Sequence, residues 1–312
     1  MSYAGPEFDP PRPPRRLLRR PLTVTAAALV PTALAGWLVW QAVGDDGGAA
    51  RAAPQTPRQA APASPAGPDD GKRPDPAEPP VSPSDSAPSP LAHKVVVIDP
   101  GHNPGNSRHT SEINQQVDIG TGRKECDTTG TSTNDGYAEA RFTLDVAHRL
   151  RALLEEQGAT VRLTHDGDRD WGPCVDERAR IGNAAHADAV VSIHADGSAA
   201  GNRGFHVILP GPVHAGAADT RPIVGSSRDL GERIADGFRR ETGAAPSNYI
   251  GEGTGLDVRT DLGGLNLSTV PKVFLECGNM RDGAEAALLT SGAWRQKAAH
   301  GISEGIVSFL RG

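Results

Sequence analysis

The stretch VFLECGNM, residues 273–280, decides the fold, because it ends a buried apolar run with a carboxylate, Glu276, that a packed sheet does not need. Two earlier apolar runs also end on polar side chains: KVVVIDPGH ends on His102, and DAVVSIH ends on His194. Apolar runs that alternate with helical patterns are typical of a mostly parallel, twisted sheet covered by helices on both faces. Such sheets bind ligands outside the carboxyl ends of their strands. We therefore expect these three ionisable side chains to meet at one site.

The apolar residues of the 312-residue chain are unevenly distributed around this stretch. Residues 92–312 are long enough for a single α/β domain with its own core. Within them we predict an edge strand at residues 204–209, because Pro210 ends it, and a long Gly-rich loop at residues 251–268. The formal net charge of -6 and the absence of a basic stripe give no surface for nucleic acid. We expect a monomer with no nucleic-acid partner.

The sequence of the N-terminal part of the chain indicates that the domain at residues 92–312 is exported. A basic tail, residues 1–21, precedes an apolar run, residues 22–43, that is just long enough to cross a bilayer, and the positive flank keeps its N-terminus in the cytoplasm. We favour an uncleaved membrane anchor, which would leave the domain extracytoplasmic; a cleaved signal peptide, which would secrete it, is the alternative. Residues 44–91 are too rich in Pro, Ala, Gly, Ser and Asp to bury a core, so we predict a disordered linker.

The three cysteines, Cys126, Cys174 and Cys277, show no CxxC spacing of a zinc or redox motif. Cys126 and Cys174 lie in two long irregular stretches, and such stretches in compact domains are usually functional or covalently stapled. If the domain is exported, a disulfide between them is the expected staple; two free buried thiols are the alternative. Cys277 follows Glu276 on its strand, so we expect it on the opposite face as a small buried hydrophobe.

A helix capped by Asn134 or Asp135 and ending near Gln157 supplies a further candidate. Its core-facing stripe has apolar side chains at spacings of four, four and three: Phe142, Val146, Leu150 and Leu153. Three residues before Phe142, the same stripe carries Glu139. A charged group on a buried face must be paired or bind a metal. Favourable placement of a carboxylate at a helix N-terminus is the alternative.

These candidates together suggest metal chemistry. Catalytic zinc takes three protein ligands of nitrogen or oxygen type and keeps an open position for water, and His102, Glu139 and His194 offer that set. Zinc lowers the pKa of its water toward about 7, but a carboxylate must still take the proton, and Glu276 is the candidate. The sequence has no HExxH motif, which would place two histidine ligands on one helix. From the residues alone, His102, Glu139, His194 and Glu276 could therefore also have separate structural roles.

Four segments carry a family resemblance: VVVIDPGHNPGN, DGYAEARFTLDVAHRL, RARIGNAAHADAVVSIHAD and PKVFLECGN. With them, residues 94–312 resemble the zinc-dependent N-acetylmuramoyl-L-alanine amidases, peptidoglycan hydrolases of the amidase-3 type, and in particular their short actinobacterial branch. The resemblance implies that His102, Glu139 and His194 hold one zinc ion. It also implies that Glu276 is the catalytic base that cleaves the amide between N-acetylmuramic acid and L-alanine in peptidoglycan.

The alternative function is a catalytically silent relative that binds peptidoglycan or a regulatory partner. Such a relative would be expected to have lost a ligand or the base, and none is missing here. Among the other polar residues, Asp99 is expected to hold the first strand's turn or a ligand histidine. Asn183 is expected to tie a helix to a neighbouring loop. Arg259 and Asp261 meet either charged groups of the peptide or solvent.

Overall fold

The computed structural model describes residues 89–312 of the chain. The predicted basic tail and membrane segment, and the linker up to residue 88, lie outside the described residues. Among the helices of the described part, none combines the length and the apolar character needed to cross a bilayer. Leu91, at the end of the predicted linker, is fully buried in the main hydrophobic core.

Ten strands form in residues 89–312: β1 (Val95–Pro100), β2 (Gln116–Asp118), β3 (Arg123–Glu125), β4 (Thr160–Leu163), β5 (Ala189–Asp196), β6 (His206–Pro210), β7 (His214–Ala215), β8 (Ala218–Asp219), β9 (Leu256–Arg259) and β10 (Lys272–Asn279). Six of them form one sheet in the order β4-β1-β5-β10-β6-β9, and β2-β3 and β7-β8 are separate two-stranded sheets. Neighbours in the large sheet run parallel, except for β10 and β6. The predicted mostly parallel α/β fold is confirmed.

Seven α-helices accompany these strands in the described part: α1 (Thr110–Ile113), α2 (Glu139–Glu156), α3 (Val175–Ala184), α4 (Val224–Thr242), α5 (Gly263–Asn266), α6 (Gly283–Leu289) and α7 (Gly292–Arg311). Helices α2, α4 and α7 pack together on one face of the large sheet and enclose the main core. Helices α3 and α5 contact each other on the opposite face. Both faces are therefore covered, as the sequence predicted.

Side chains of the central strands alternate between these two faces. Toward α2, α4 and α7 they are apolar, as in Ile98, Val191 and Leu275. Toward α3 and α5, a small cluster around Val97 and Val190 gives way to polar side chains further along the strands: Asp99, Ser192, His194 and Glu276. The polar end of this second face lies at the carboxyl ends of β1, β5 and β10, where parallel sheets place their ligands.

The prediction that residues 204–209 form a strand is correct, but the prediction that this strand lies at the edge of the sheet is wrong. Strand β6 lies between β10 and β9, so it is an interior strand that runs antiparallel to β10. Its outer neighbour β9 comes from the segment predicted to be a loop, residues 251–268. Pro210 is tolerated because it is the last residue of β6, and the next amide, that of Gly211, donates to the Arg259 carbonyl at 2.8 Å.

Helix α2 also begins later than predicted, at Glu139, with Ala138 as the N-cap. The residues before it form a turn instead, in which the Thr133 amide donates to the Tyr137 carbonyl at 3.0 Å and Gly136 adopts a φ of 84°. Of the predicted stripe, the first three side chains are fully buried, while the fourth buried position belongs to Leu154. Glu139 is consequently the first residue of the helix and is itself buried.

The predicted disulfide is present. Cys126 and Cys174 are joined, which links the segment after β3 to the start of α3. Cys277 is unpaired and buried in the main core, on the face of β10 opposite to Glu276, as expected. The bridge therefore holds two irregular segments against the polar end of the sheet.

Candidate metal centre

Three of the predicted site residues converge at the carboxyl ends of β1 and β5. His102 follows β1, His194 lies near the end of β5, and Glu139 opens α2. One ligand atom from each lies within 4.8 Å of the others. Glu139 Oε1 lies 3.2 Å from His102 Nε2 and 3.1 Å from His194 Nδ1. The structure thus brings together the three side chains that the sequence analysis placed at one site.

Glu139 is held by the backbone as well as by the two imidazoles. Its Oε2 accepts a hydrogen bond from the Thr131 amide at 2.8 Å, and its Oε1 accepts one from the Ala195 amide at 3.2 Å. Burial alone would raise the pKa of this carboxyl, but the charges and hydrogen bonds of His102 and His194 outweigh it and hold the pKa well below its usual range. The Glu139 carboxylate is therefore ionised and fixed between the two rings.

The two histidine rings are oriented by their own neighbours. The Nδ1 atom of His102 lies 3.1 Å from the Thr128 carbonyl oxygen and 3.3 Å from Asp127 Oδ1, which leaves Nε2 directed at Glu139. The ring of His194 stacks on Phe274 with centroids 5.2 Å apart and planes 14° apart. His102 therefore uses its second nitrogen as metal-binding histidines characteristically do, because that contact fixes ring orientation and tautomer, whereas His194 is oriented by stacking.

Two glycines make room for this arrangement. A Cβ on Gly101 would lie 2.4 Å from His194 Cε1, a distance no side chain tolerates. A Cβ on Gly130 would lie 2.7 Å from His102 Cδ2 and 2.8 Å from Glu139 Oε2, and its φ of 71° also favours glycine. The close packing of the cluster therefore depends on bare backbone at both positions.

Glu276 is the fourth acidic or basic group at this cluster. It is the register partner of His194 on the adjacent strand and lines the same cavity as the three candidate ligands. Its Oε2 is buried and has no hydrogen-bond partner among residues 89–312. Burial, together with the negative charges of Glu139 and Asp196, raises the pKa of Glu276 well above its usual value. An unpaired buried carboxyl group is costly unless something outside the protein contacts it.

These observations fit a bound divalent transition metal. Two imidazole nitrogens and a carboxylate oxygen form the three-ligand set that leaves a metal position open. The orphaned oxygen of Glu276 faces the same space, where a metal-bound ligand could satisfy it. The second His/Glu cluster of the described part, around His300 on α7, is more exposed, since His300 lies at the surface and Glu241 and Glu304 are only half-buried.

Two cavities meet at the candidate metal centre. One, of about 340 Å³, includes Glu276, Asp196 and Arg259, and the other, of about 240 Å³, includes Asp127 and Arg178. Both are lined by the same five residues: His102, Thr128, His194, Leu262 and Phe274. His102 and His194 thus lie where the two cavities of this cleft meet, and Glu139 lines the larger of the two.

Other predicted residues lie outside the ligand cluster. Asp99 is buried against Arg178 and Lys272 at 2.8 and 3.1 Å, so it holds the end of β1 without touching a candidate ligand. Asn183 ties α3 to the loop before β10, as expected: its Nδ2 donates to the Leu267 carbonyl and its Oδ1 accepts from the Thr269 amide. These residues position the polar end of the sheet.

The charged loop pair is engaged within the protein. Arg259 donates from Nε and Nη2 to the two carboxylate oxygens of Asp261, at 2.7 and 2.8 Å. Lys124, on β3, also reaches Asp261 at 3.0 Å. This ion-pair network links the β2-β3 hairpin to the loop after β9 across one side of the cleft.

Sequence reasoning missed three residues that shape the centre: Asp127, Arg178 and Phe274. The only local signal for Asp127 is its position next to Cys126. Arg178 lies four residues after Cys174, in a helix whose other charges are solvent-exposed or partly exposed. Phe274 alternates with Glu276, which places it on the cleft face of β10. The fold, rather than any local pattern, reveals the first two.

Residues 96–308 match the family model described as N-acetylmuramoyl-L-alanine amidase, the amidase-3 family. The chain belongs to this amidase family. The matched range contains the three candidate ligands and Glu276. The family resemblance carried by the four sequence segments is therefore confirmed.

Individual amidases match the chain along most of their own length. An N-acetylmuramoyl-L-alanine amidase of Mycobacterium tuberculosis, Rv3717, is 41% identical over 235 residues, which cover 75% of this chain and 93% of the relative. The crystal structure of the amidase Ami1 from Mycobacterium smegmatis matches with a TM-score of 0.64 and 41% identity, over 70% of this chain and 98% of Ami1. Apo Ami1 from Mycobacterium abscessus matches with a TM-score of 0.64 and 42% identity, over 70% and 100%. The described fold is thus the fold of this amidase family.

Proposed function

We propose that the chain hydrolyses the amide bond between N-acetylmuramic acid and L-alanine in peptidoglycan, with one zinc ion bound by His102, Glu139 and His194. The observation that carries the proposal is the convergence of these three ligand atoms within 4.8 Å, beside the unpaired carboxyl group of Glu276. Membership of the amidase family supplies the reaction and the substrate class. Two imidazoles in the ligand set favour zinc over magnesium or calcium, which prefer oxygen ligands.

The residues of the chain have separate tasks in this proposal. A zinc ion on these ligands would polarise the scissile carbonyl group and make a water molecule acidic near neutral pH. Glu276 accepts the proton from that water and later donates it to the departing amine of L-alanine. Burial and the neighbouring negative charges raise the pKa of Glu276, so this carboxyl group accepts a proton more readily than an ordinary glutamate does.

The backbone and the cleft supply orientation. The amides of Thr131 and Ala195 keep the Glu139 carboxylate between the two histidines, so the ligands are preorganised. Space on both sides of the cluster lets the sugar of the substrate lie in one part of the cleft and the peptide in the other. An extended substrate can then present its central amide bond to Glu276.

We also propose that the domain acts outside the cytoplasm as a monomer. Residues 22–43 would anchor it in the membrane, or release it if they are cleaved. Residues 44–88 would act as the linker, since Leu91 is buried in the core of the domain. The Cys126–Cys174 disulfide supports an oxidising compartment. Protease accessibility on intact cells, N-terminal sequencing of the mature chain and light scattering test these three points in turn.

The function is tested with purified muropeptides and the full chain in detergent. We expect mass spectrometry to detect free stem peptide that begins with L-alanine. A chelator should abolish its release, and zinc, but not magnesium, should restore it. Stem-peptide release that survives complete metal removal would contradict the mechanism. Tight muropeptide binding with no release in the presence of zinc would instead support the catalytically silent alternative.

A further inference from the structure

Arg178 is a buried cation whose hydrogen bonds converge on the candidate ligand His102. The residue is 4% exposed and lies on α3. Its Nε donates to the Pro173 carbonyl at 2.9 Å, and its Nη1 donates to Asp99 Oδ1 and the Pro100 carbonyl at 2.8 and 2.6 Å. Its Nη2 donates to the His102 carbonyl at 3.1 Å. A buried guanidinium with every donor used fixes its partners in one geometry.

The last hydrogen bond of Arg178 leads to the His102 ring. Nη2 also donates to Asp127 Oδ2 at 2.9 Å. The other oxygen of this buried carboxylate, Oδ1, lies 3.3 Å from His102 Nδ1 and accepts from the Thr128 amide at 2.7 Å. The Thr128 carbonyl in turn lies 3.1 Å from the same ring nitrogen. Asp127 therefore connects the guanidinium of Arg178 to the side of His102 that faces away from Glu139.

His102 needs such support because of its backbone. Its φ is 61°, in the left-handed region that residues other than glycine rarely adopt. Such a conformation persists only where the surroundings enforce it. Arg178 binds the carbonyl of His102, and Asp127 with Thr128 contacts its ring. Backbone and ring are thus both fixed by one network that touches neither Glu139 nor His194.

The disulfide joins the two segments that carry this network. Cys126 directly precedes Asp127, and Cys174 is the N-cap of α3, with its carbonyl accepting from the Arg178 amide at 2.9 Å. The Val175 amide donates to the Cys126 carbonyl at 2.8 Å, so the backbones also meet beside the bridge. Without the bridge, the Asp127 segment would be attached to α3 only by these non-covalent contacts.

We infer that Asp127 and Arg178 are positioning residues for the ligand His102, and that the Cys126–Cys174 disulfide keeps them in place. The inference rests on the proposed metal site. Neither residue is needed as a metal ligand or as a proton carrier. Their effect is to hold His102 Nε2 where a metal can be bound, so the metal affinity of the chain depends on them.

Zinc affinity, measured by competition with a chromophoric chelator on the metal-stripped full chain in detergent, tests this inference. Asp127→Asn keeps the shape of the side chain but leaves one oxygen where two now contact Arg178, the Thr128 amide and His102. Arg178→Lys keeps the charge but loses the planar fork. We expect each to weaken zinc binding about 10- to 100-fold, as loss of such supporting contacts typically does. The matched control is Glu177→Gln, next to Arg178 on the same helix, whose exposed pair with Arg169 does not reach His102. Its affinity should stay within twofold.

Two further measurements separate positioning from general destabilisation. Cobalt absorption bands report the ligand geometry directly, so we expect Asp127→Asn to shift them in protein whose circular dichroism is unchanged. The double variant Cys126→Ser with Cys174→Ser removes the disulfide by mutation. A thiol reductant would also break the disulfide, but it would bind zinc itself and disturb the affinity measurement. It should also lose about tenfold or more in zinc affinity.

The outcomes distinguish this inference from the proposed function. If the unaltered chain fails to bind zinc, the proposed metal site is wrong. If it binds zinc and folded Asp127→Asn retains both its affinity and its cobalt spectrum, the positioning role is wrong, whether or not Arg178→Lys folds. Unaltered affinity in the double cysteine variant would overturn the role of the disulfide alone.

Discussion

Glu276 on β10 pairs in register with His194 on β5, so a carboxyl group and a candidate metal ligand lie side by side on the cleft face of the sheet. Strand β10 cannot slide by one residue along β5 without turning Glu276 to the opposite face of the sheet. The relationship is therefore fixed by the same main-chain hydrogen bonds that stabilise the sheet. It leads to predictions for the chemistry and for the stability of the domain.

Glu276→Gln should abolish catalysis while leaving metal binding intact. The amide has a similar shape but cannot accept a proton, so we expect kcat on muropeptides to fall about 10²- to 10⁴-fold. Zinc affinity should stay within a few fold, because Glu276 is outside the proposed ligand set. Glu232→Gln, an exposed change on α4, is the control. Full activity in Glu276→Gln would remove this residue from the mechanism.

The same substitution should stabilise the metal-free protein near neutral pH. The folded pKa of Glu276 is raised, so as pH rises above about 4.5 the unfolded chain ionises first, and the free energy of unfolding falls. Glutamine does not ionise in either state, so the free energy of unfolding of the variant does not fall in this way as the pH rises. Although Oε2 is buried, the Glu276 side chain as a whole is only half-buried, so we expect a gain of about 1 kcal/mol, or about 2–4 °C in Tm, at pH 7. The gain should vanish near pH 4, where both states are protonated; thermal scans at the two pH values check this, and a lower Tm at pH 7 would contradict it.

Gly101→Ala should weaken metal binding without any change in a ligand. The new methyl group would lie 2.4 Å from the ring of His194, so the ring must shift from its present position, in which Nδ1 lies 3.1 Å from Glu139 Oε1. We expect zinc affinity to fall about tenfold or more, by the same reasoning that applies to lost ligand support. Gly225→Ala, at a helical position with nothing within 4 Å of the added methyl group, should leave it unchanged. Equal affinities in the two variants would show that the cluster tolerates displacement of His194.

Lys272→Met should destabilise the fold strongly. Lys272 Nζ lies 3.1 Å from Asp99 Oδ2 with both side chains 1% exposed, and it lies 5.5 Å from the centre of the Phe274 ring. Removing one partner of a buried pair costs roughly 3–5 kcal/mol. The partly exposed pair of Lys94 and Asp188 provides the control, since Lys94→Met should cost less than about 1 kcal/mol. Denaturant unfolding measures both, and similar losses would show that burial does not govern these pairs.

The features of the site that follow from strand periodicity could be predicted from the sequence. Apolar runs ending on His102, His194 and Glu276 imply one edge of a parallel sheet, because the carboxyl ends of such strands meet. Glu139 was found by continuing the apolar stripe of α2 backwards by one turn, even though the helix begins at a different residue than predicted. These inferences need only local spacing and one rule of sheet topology.

Features that depend on distant contacts could not be predicted. The interior position of β6 results from pairing with the short strand β9, whose four residues alternate between apolar and charged but lie within a Gly-rich segment. Ala138 caps α2 without a side-chain hydrogen bond, so no capping residue marks that start. Asp127 and Arg178 resemble ordinary solvent-exposed charges in the sequence. Their burial becomes visible only when the segment after β3 and helix α3 are placed against the end of β1.

Glu276 and Cys277 point to opposite faces of β10, so the register of this strand determines both the activity and the stability of the folded chain. A slip of one residue in this strand would put a thiol in the cleft and bury a carboxyl group in the apolar layer under α4 and α7. The misfolded product would thus lose its activity and its stability together. Chains of this sequence that survive proteolysis are therefore expected to be the competent ones.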